Sequence, residues 1–151
     1  MTTTASPAVQ DRKPPELLVR LLNPVMRVLL RTRAGRAVKP FALLEFRGRR
    51  SGRTLRVPVG WHVVDGAPLV FTPAAWRANF GDSTPVTVYV HGQRREMVAT
   101  AVRDPAAVAD ALRAMVAGGE PLAKVGIKAP SGHAITAADV RCVDRQLLRF
   151  A

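Results

Sequence analysis

Five short apolar segments crowd residues 41–103, and they constrain the fold more than any other feature of this chain. FALLEFRG (41–48) is a mixed apolar run closed by Gly48. RTLRVPVGWHVVDG (53–66) alternates in part and ends in Asp65-Gly66, a strong hairpin signal. APLVFTP (67–73) reads as the returning strand. PVTVYVHG (85–92) alternates cleanly, with Val86, Val88 and Val90 on one face and Thr87, Tyr89 and His91 on the other. A turn at Gly92-Gln93 leads into RREMVATAVR (94–103). Strands this close, joined mainly by hairpins, predict an antiparallel sheet or small barrel. Pro58 within the second segment marks an edge strand or a bulge, because proline cannot donate to a ladder on both sides.

Helical signals flank the β region. Leu17, Leu18, Leu21, Leu22, Val25, Val28 and Leu29 recur at helical spacing, so residues 16–37 are expected to form an N-terminal helical segment behind a disordered tail, 1–15. Asn23-Pro24 interrupts that segment and would start a second helix, with Asn as cap and Pro in the first turn. The stripe is expected to pack on the domain, with contact to an anionic membrane surface as the alternative. Asp104-Pro105 opens a further helix that ends at Gly118-Gly119. Thr136 begins another, with Asp139 in place of the Glu or Gln of a strict capping box. QLLRFA (146–151) reads as a short final strand. The whole is one α+β domain over residues 16–151, with barrel strands at 41–103 and helices at both ends.

At 151 residues, 48% of them hydrophobic, the chain can bury a real core. Cys142 is the only cysteine, which excludes a disulfide scaffold, and it reads as a small buried hydrophobe on the last helix. His62, His91 and His133 stand apart without the spacing of a zinc site. No apolar run reaches the roughly 20 residues of a membrane span. The N-terminus lacks a long apolar secretion segment, so a cytoplasmic protein is expected.

The net charge is +12, and +10 of it lies in residues 1–60. Nineteen of the 23 basic residues are Arg, whose planar fork grips carboxylate or phosphate through two hydrogen bonds. Such a charge invites a nucleic-acid-binding reading. Against it, the chain has eight aromatics and no aromatic-rich stacking strand, so no nucleic-acid partner is expected.

Two segments can carry chemistry. Arg47-Gly48-Arg49-Arg50-Ser51-Gly52-Arg53, with Arg56 in the strand beyond, sets two glycines around two arginines and a hydroxyl. A turn of that composition can aim backbone N–H groups, Ser51 and guanidinium forks at one anion, or can simply be a solvated basic hairpin. It is not a phosphate-binding loop of the GxxxxGK[ST] type. The second is Thr72-Pro73-Ala74-Ala75-Trp76-Arg77-Ala78-Asn79-Phe80, where small residues leave backbone accessible to a flat ligand and Trp76 offers a wall or a core anchor. Each segment ends a strand, so a hairpin meander can make them neighbours.

Taken together, these segments resemble the deazaflavin-dependent nitroreductases. Residues 41–80 carry in order a strand, G-[RK]-[RK]-S-G-x-x-R, a strand with proline, a DG hairpin, a strand and a small-residue loop leading to W-x-x-N. Asn23, Pro24 and Arg27 fit the family's N-terminal helix, and the likeness covers most of the chain. The resemblance implies an antiparallel split β-barrel, like that of FMN-binding split-barrel proteins, and hydride transfer between coenzyme F-420 and a small organic substrate. By the same resemblance Arg49, Arg50, Ser51, Gly52 and Arg56 would hold the phosphate and acidic tail. Pro58 and Val59 would lie beside the deazaflavin ring, Thr72, Pro73 and Ala74 would line it, and Trp76 and Asn79 would fix the loop. A homodimer is expected by the same analogy. An FMN-binding reductase is the alternative within enzymes, and a basic nucleic-acid or membrane-surface module the alternative outside them.

The chain also departs from that family. Members with nitroreductase activity bring tyrosines to the substrate from C-terminal helices, whereas Tyr89, in a predicted strand, is the only tyrosine here. The loop after Thr72 is short. The resemblance therefore assigns no catalytic residue, and His133 is read as a loop histidine rather than a proton donor.

Overall fold

A computed structural model describes residues 9–11, 24–37, 41–72 and 75–151. In chain order the elements are β1 (Gln10–Asp11), α1 (24–30), β2 (Phe41–Arg47), β3 (Thr54–Gly60), β4 (His62–Val64), β5 (Ala67–Thr72), β6 (Thr84–Val90), β7 (Gln93–Val102), α2 (Pro105–Ala117), β8 (Ile127–Lys128), α3 (Ala137–Val143) and β9 (Gln146–Phe150). Seven strands form one antiparallel sheet in the order β3-β2-β6-β7-β9-β5-β4.

That order contains its own proof of curvature. β3 and β4 are the two outermost strands, yet only Trp61 separates them in the chain. One residue spans at most about 3.6 Å, so the two edges of the sheet must be brought together and the sheet curls into a split barrel. Trp61 is buried at this junction, its ring 5.0 Å from that of Phe150.

Period-2 patterning fills the inside. Ala42, Leu44 and Phe46 from β2, Val86, Val88 and Val90 from β6, Val70, Ala99, Leu148 and Phe150 share one buried cluster with Trp61 and Phe80. On the opposite face Leu69, Phe71 and Leu147 pack against Val108, Leu112 and Met115 of α2 and Val140 and Val143 of α3. β5 and β9 are thus covered on both faces, which is why QLLRF carries consecutive leucines rather than an alternation. Each such buried side chain contributes about 1.5–3 kcal/mol.

Local signals act where the sequence places them. Asp65-Gly66 adopts positive φ at both positions, 52° and 78°, as a hairpin of this twist requires. The second turn falls one residue earlier than expected, at His91-Gly92 with φ 51° and 75°, so His91 leaves the strand and Gln93 opens β7. Asp104 caps α2 by accepting from the Ala106 N–H, with Pro105 in the first turn. Thr136 and Asp139 form both halves of a capping box, with the shorter Asp reaching back to the Thr136 N–H. Pro58 lies on an edge strand, opposite Leu43. The final strand exists, but it sits in the middle of the sheet between β7 and β5.

Three readings change. Cys142 is exposed, not buried: Val140 and Val143, three apart, carry the core face of α3, and residue 142 falls off it. Within the segment expected to be a tail, Val9 is buried and Gln10–Asp11 pair with Ile127–Lys128. On α1 Leu30 is buried, while Val25 and Val28 of the same apolar stripe remain exposed. Residues 16–23 of the expected helical segment, including Asn23, lie outside the described residues, as do Pro73 and Ala74. Among the described residues no helix is long and apolar enough to cross a membrane. No group of three or more His, Cys, Asp or Glu among them stands ready to hold a metal ion.

Candidate functional site

The turn between β2 and β3 is closed by its own backbone. The Gly48 N–H donates to the Arg53 carbonyl at 2.8 Å, and the Gly52 N–H donates to the Gly48 carbonyl at 2.9 Å. Gly52 takes φ +67°, a left-handed geometry that glycine adopts without steric cost. Ser51 Oγ accepts from the Arg53 N–H at 3.2 Å and fills the space a Gly48 side chain would need, 2.7 Å from an ideal Cβ there. Arg49, Arg50, Ser51 and Arg53 are all exposed, so the turn holds three guanidinium groups and a hydroxyl out toward solvent.

The short 3-10 turn Ala75–Asn79 follows β5 and meets this basic turn directly. The Arg49 N–H donates to Asn79 Oδ1 at 2.7 Å, while Asn79 Nδ2 donates to the Trp76 carbonyl at 2.8 Å. One amide thereby links the two segments that the sequence singles out. Trp76 is half-buried, its ring 5.9 Å from both Phe46 and Phe80, which themselves meet edge-on at 4.7 Å. The indole is therefore an anchor that seats the loop on the end of the barrel.

Arg77 supplies a second fastening that sequence reasoning missed. Its Nη2 donates to both carboxylate oxygens of Asp144 at 2.9 Å, and its Nη1 donates to the Asp144 carbonyl at 2.7 Å. Asp144 ends α3 in a left-handed conformation, φ 49°, which turns its side chain and carbonyl toward the loop. Arg145, also unremarked in the sequence, is buried and donates to the carbonyls of Val125, Val143 and Gly126. The Asp144, Val125 and Gly126 contacts follow no local spacing, because each joins residues far apart in the chain.

The other residues implied by the resemblance are distributed unevenly. Arg56 sits directly across the β2–β3 ladder from Glu45 and donates to its Oε2 at 2.7 Å. Its Nε is thus engaged by a cross-strand partner, while the side chain stays partly exposed. Pro58 and Val59 point to opposite faces of β3, and only Val59 is buried in the barrel cluster. Thr72 is buried at the end of β5, directly opposite Gln146 of β9. Residues directly opposite in an antiparallel pair share a face, so Gln146 projects beside Thr72. Among the described residues Gln146 Nε2 is buried with no hydrogen-bond partner, the kind of orphaned donor that a native structure rarely keeps without a use.

Beside the basic turn runs a groove of about 570 Å³, which Arg47 and Thr54 border at its near end. Glu45 and Glu96 line it, and Thr87 Oγ1 donates to the Glu96 carboxylate at 3.1 Å. Two carboxylates make the groove a poor seat for a polyanion, whereas the turn beside it carries the exposed guanidinium groups of Arg49, Arg50 and Arg53. His62 is buried and its Nδ1 lies 2.6 Å from Glu120 Oε2, tying β4 to the segment after α2. His133 Nε2 lies 2.8 Å from Asp139 Oδ2, well into the C-terminal region.

No protein-family model matches the chain, and no curated protein does. Among solved structures it is similar to the FAD- and heme-binding protein of Mycobacterium smegmatis at 15% identity and TM-score 0.46, over 85% of this chain and 64% of that one. It is similar to an Agrobacterium tumefaciens protein of unknown function at 20% identity and TM-score 0.39, over 96% of this chain and 57% of that one. A third likeness, to Campylobacter jejuni ChuZ, has 9% identity and TM-score 0.36, covering 92% of this chain and 54% of that one. The chain spans less than two thirds of the length of each of these three proteins. Likenesses this remote carry no argument about what the chain binds.

Proposed function

We propose that this chain binds a flavin-class coenzyme at the junction of the 48–53 turn and the 75–79 turn and acts as an oxidoreductase on a small organic molecule. Coenzyme F-420 is the preferred partner and FMN the alternative. The observation that carries the reading is the Arg49–Asn79 hydrogen bond, which joins the two segments that the resemblance to deazaflavin-dependent nitroreductases singles out. The split-barrel sheet supports it as a scaffold of the expected kind.

The residues fit such a group. Arg49, Arg50 and Arg53 are exposed, fork-shaped cations suited to a tail carrying phosphate and carboxylates. Ser51 keeps its hydroxyl proton free to donate, since its oxygen acts as acceptor toward Arg53. The orphaned Gln146 amide beside Thr72 offers a donor to a ring carbonyl or other acceptor. When bound, the coenzyme supplies the hydride chemistry. The chain holds the tail, orients the loop through Asn79 and Arg77, and keeps water from the barrel end with Trp76 and Phe80. Arg56, paired with Glu45 through Nε, keeps its terminal nitrogens as further donors to that tail.

Titration of the purified protein with oxidised and reduced F-420, and in parallel with FMN, tests the proposal. Saturable micromolar binding of F-420 is expected, weakened at least about tenfold in R49A/R50A because two charge-assisted contacts go. Tighter binding of FMN would select the alternative coenzyme. Failure of both to bind, or undiminished binding in the double variant, would sink the reading.

A further inference from the structure

A cavity of about 600 Å³ lies between the end of α2, the 3-10 turn Leu122–Val125 and the loop running from β8 to α3. Small-molecule pockets occupy roughly 300–1,000 Å³, with apolar walls and a few polar groups. Val116, Leu122, Ile127, Ala129, Pro130 and Ile135 give this one such walls. It shares no lining residue with the turns at 48–53 and 75–79.

Its charged lining has one sign. Arg113 and Lys128 line the cavity, and among the described residues no Asp or Glu does. Arg113 is held in place, its Nη1 donating to the Ile135 carbonyl at 2.7 Å and its Nη2 paired with Asp110. Lys128 is exposed and makes no ion pair among the described residues. His133, also on the wall, is fixed through Nε2 by Asp139.

We propose that this cavity binds a small amphipathic organic anion, an apolar body with a single carboxylate or sulfonate head. The body packs on the aliphatic walls, where its transfer from water supplies most of the affinity. The head lies at the cationic rim, beside the exposed Lys128. A cationic amphiphile with the same body meets Arg113 and Lys128 as like charges. A polyphosphate would have to leave water for largely aliphatic walls, with too few donors to replace its hydration. A compact monoanion with an apolar tail satisfies both constraints.

Isothermal titration of the full chain with dodecanoate and with dodecyltrimethylammonium, both below micelle formation, tests this. Dodecanoate is expected to bind saturably at one site, with the cation at least about tenfold weaker. Lys128→Glu reverses an exposed charge without disturbing the core and should weaken dodecanoate at least about tenfold. Ala129→Trp should block the cavity and abolish the heat of binding. R49A/R50A should leave dodecanoate binding unchanged, which separates this site from the proposed coenzyme site. Equal binding of the two amphiphiles, or dodecanoate binding that survives both Lys128→Glu and Ala129→Trp, would overturn the proposal.

Discussion

Arg49 and Asn79 are thirty residues apart in the chain, and the Arg49 N–H donates to the Asn79 side-chain oxygen at 2.7 Å. The same amide donates onward to the Trp76 carbonyl, so its two ends do different jobs. Asn79→Ala removes both and is expected to cost about 1–2 kcal/mol of stability and to weaken F-420 binding. Asn79→Asp keeps the acceptor for Arg49 but loses the donor to Trp76, so it should fall between wild type and Ala. Thermal unfolding and coenzyme titration of both variants check the order. Wild-type binding in Asn79→Ala would show that the tie does not matter to the site.

Trp61 closes the barrel. It occupies the single position between the two outer strands and packs on Phe150. Trp61→Ala should cost about 3–5 kcal/mol, the usual range for deleting a buried large aromatic, and Trp61→Phe markedly less. Urea unfolding reads the difference. A small loss in the alanine variant would mean that the barrel edges are held together elsewhere.

Gln146 presents an opposite case, since its buried Nε2 has no hydrogen-bond partner among the described residues. Gln146→Leu removes a desolvated donor and keeps the volume, so stability should be unchanged or rise by up to about 1–2 kcal/mol. Coenzyme binding should fall if the amide is used by the bound ring. Stability and affinity moving in opposite directions is the expected signature. A fall in stability would show instead that Gln146 has a structural partner.

Asp139 makes stability depend on pH. Burial pushes its carboxyl upward, but hydrogen bonds from His133 and from the Thr136 amide and hydroxyl outweigh that and hold it below the ordinary carboxylate range. The unfolded chain, with an aspartate value of about 3.9, therefore takes up this proton first as pH falls. The stabilisation is present above about pH 4 and is lost as pH drops through the folded value. Asp139→Asn should cost about 1 kcal/mol at pH 7, with a smaller gap from wild type at pH 3, read by urea unfolding at each pH. A gap independent of pH would refute the assignment.

Much of the scaffold can be read without coordinates. Alternation at Val86, Val88 and Val90, the Asp65-Gly66 hairpin, the Asp104-Pro105 helix start and the Thr136–Asp139 box all act as local spacing predicts. Each depends on residues within a few positions of one another, where backbone geometry alone decides the partner. Cys142 was misread because its helix is only seven residues long, too short for the core face to declare itself by periodicity. Arg77–Asp144 and the Val125 and Gly126 carbonyls around Arg145 were beyond reach, since nothing near either arginine in the chain names these partners.

The sequence by itself determined the class of fold and the two segments to watch, through turn residues, strand periodicity and the clustering of arginine. Tertiary structure alone decided that β9 enters the middle of the sheet, that one amide joins the two segments, and that Arg56 answers to Glu45. The division has a physical cause. Local conformation is set by sterics and capping between near neighbours, whereas these contacts depend on which distant strands pair once the barrel closes and on which polar groups are then left to find partners.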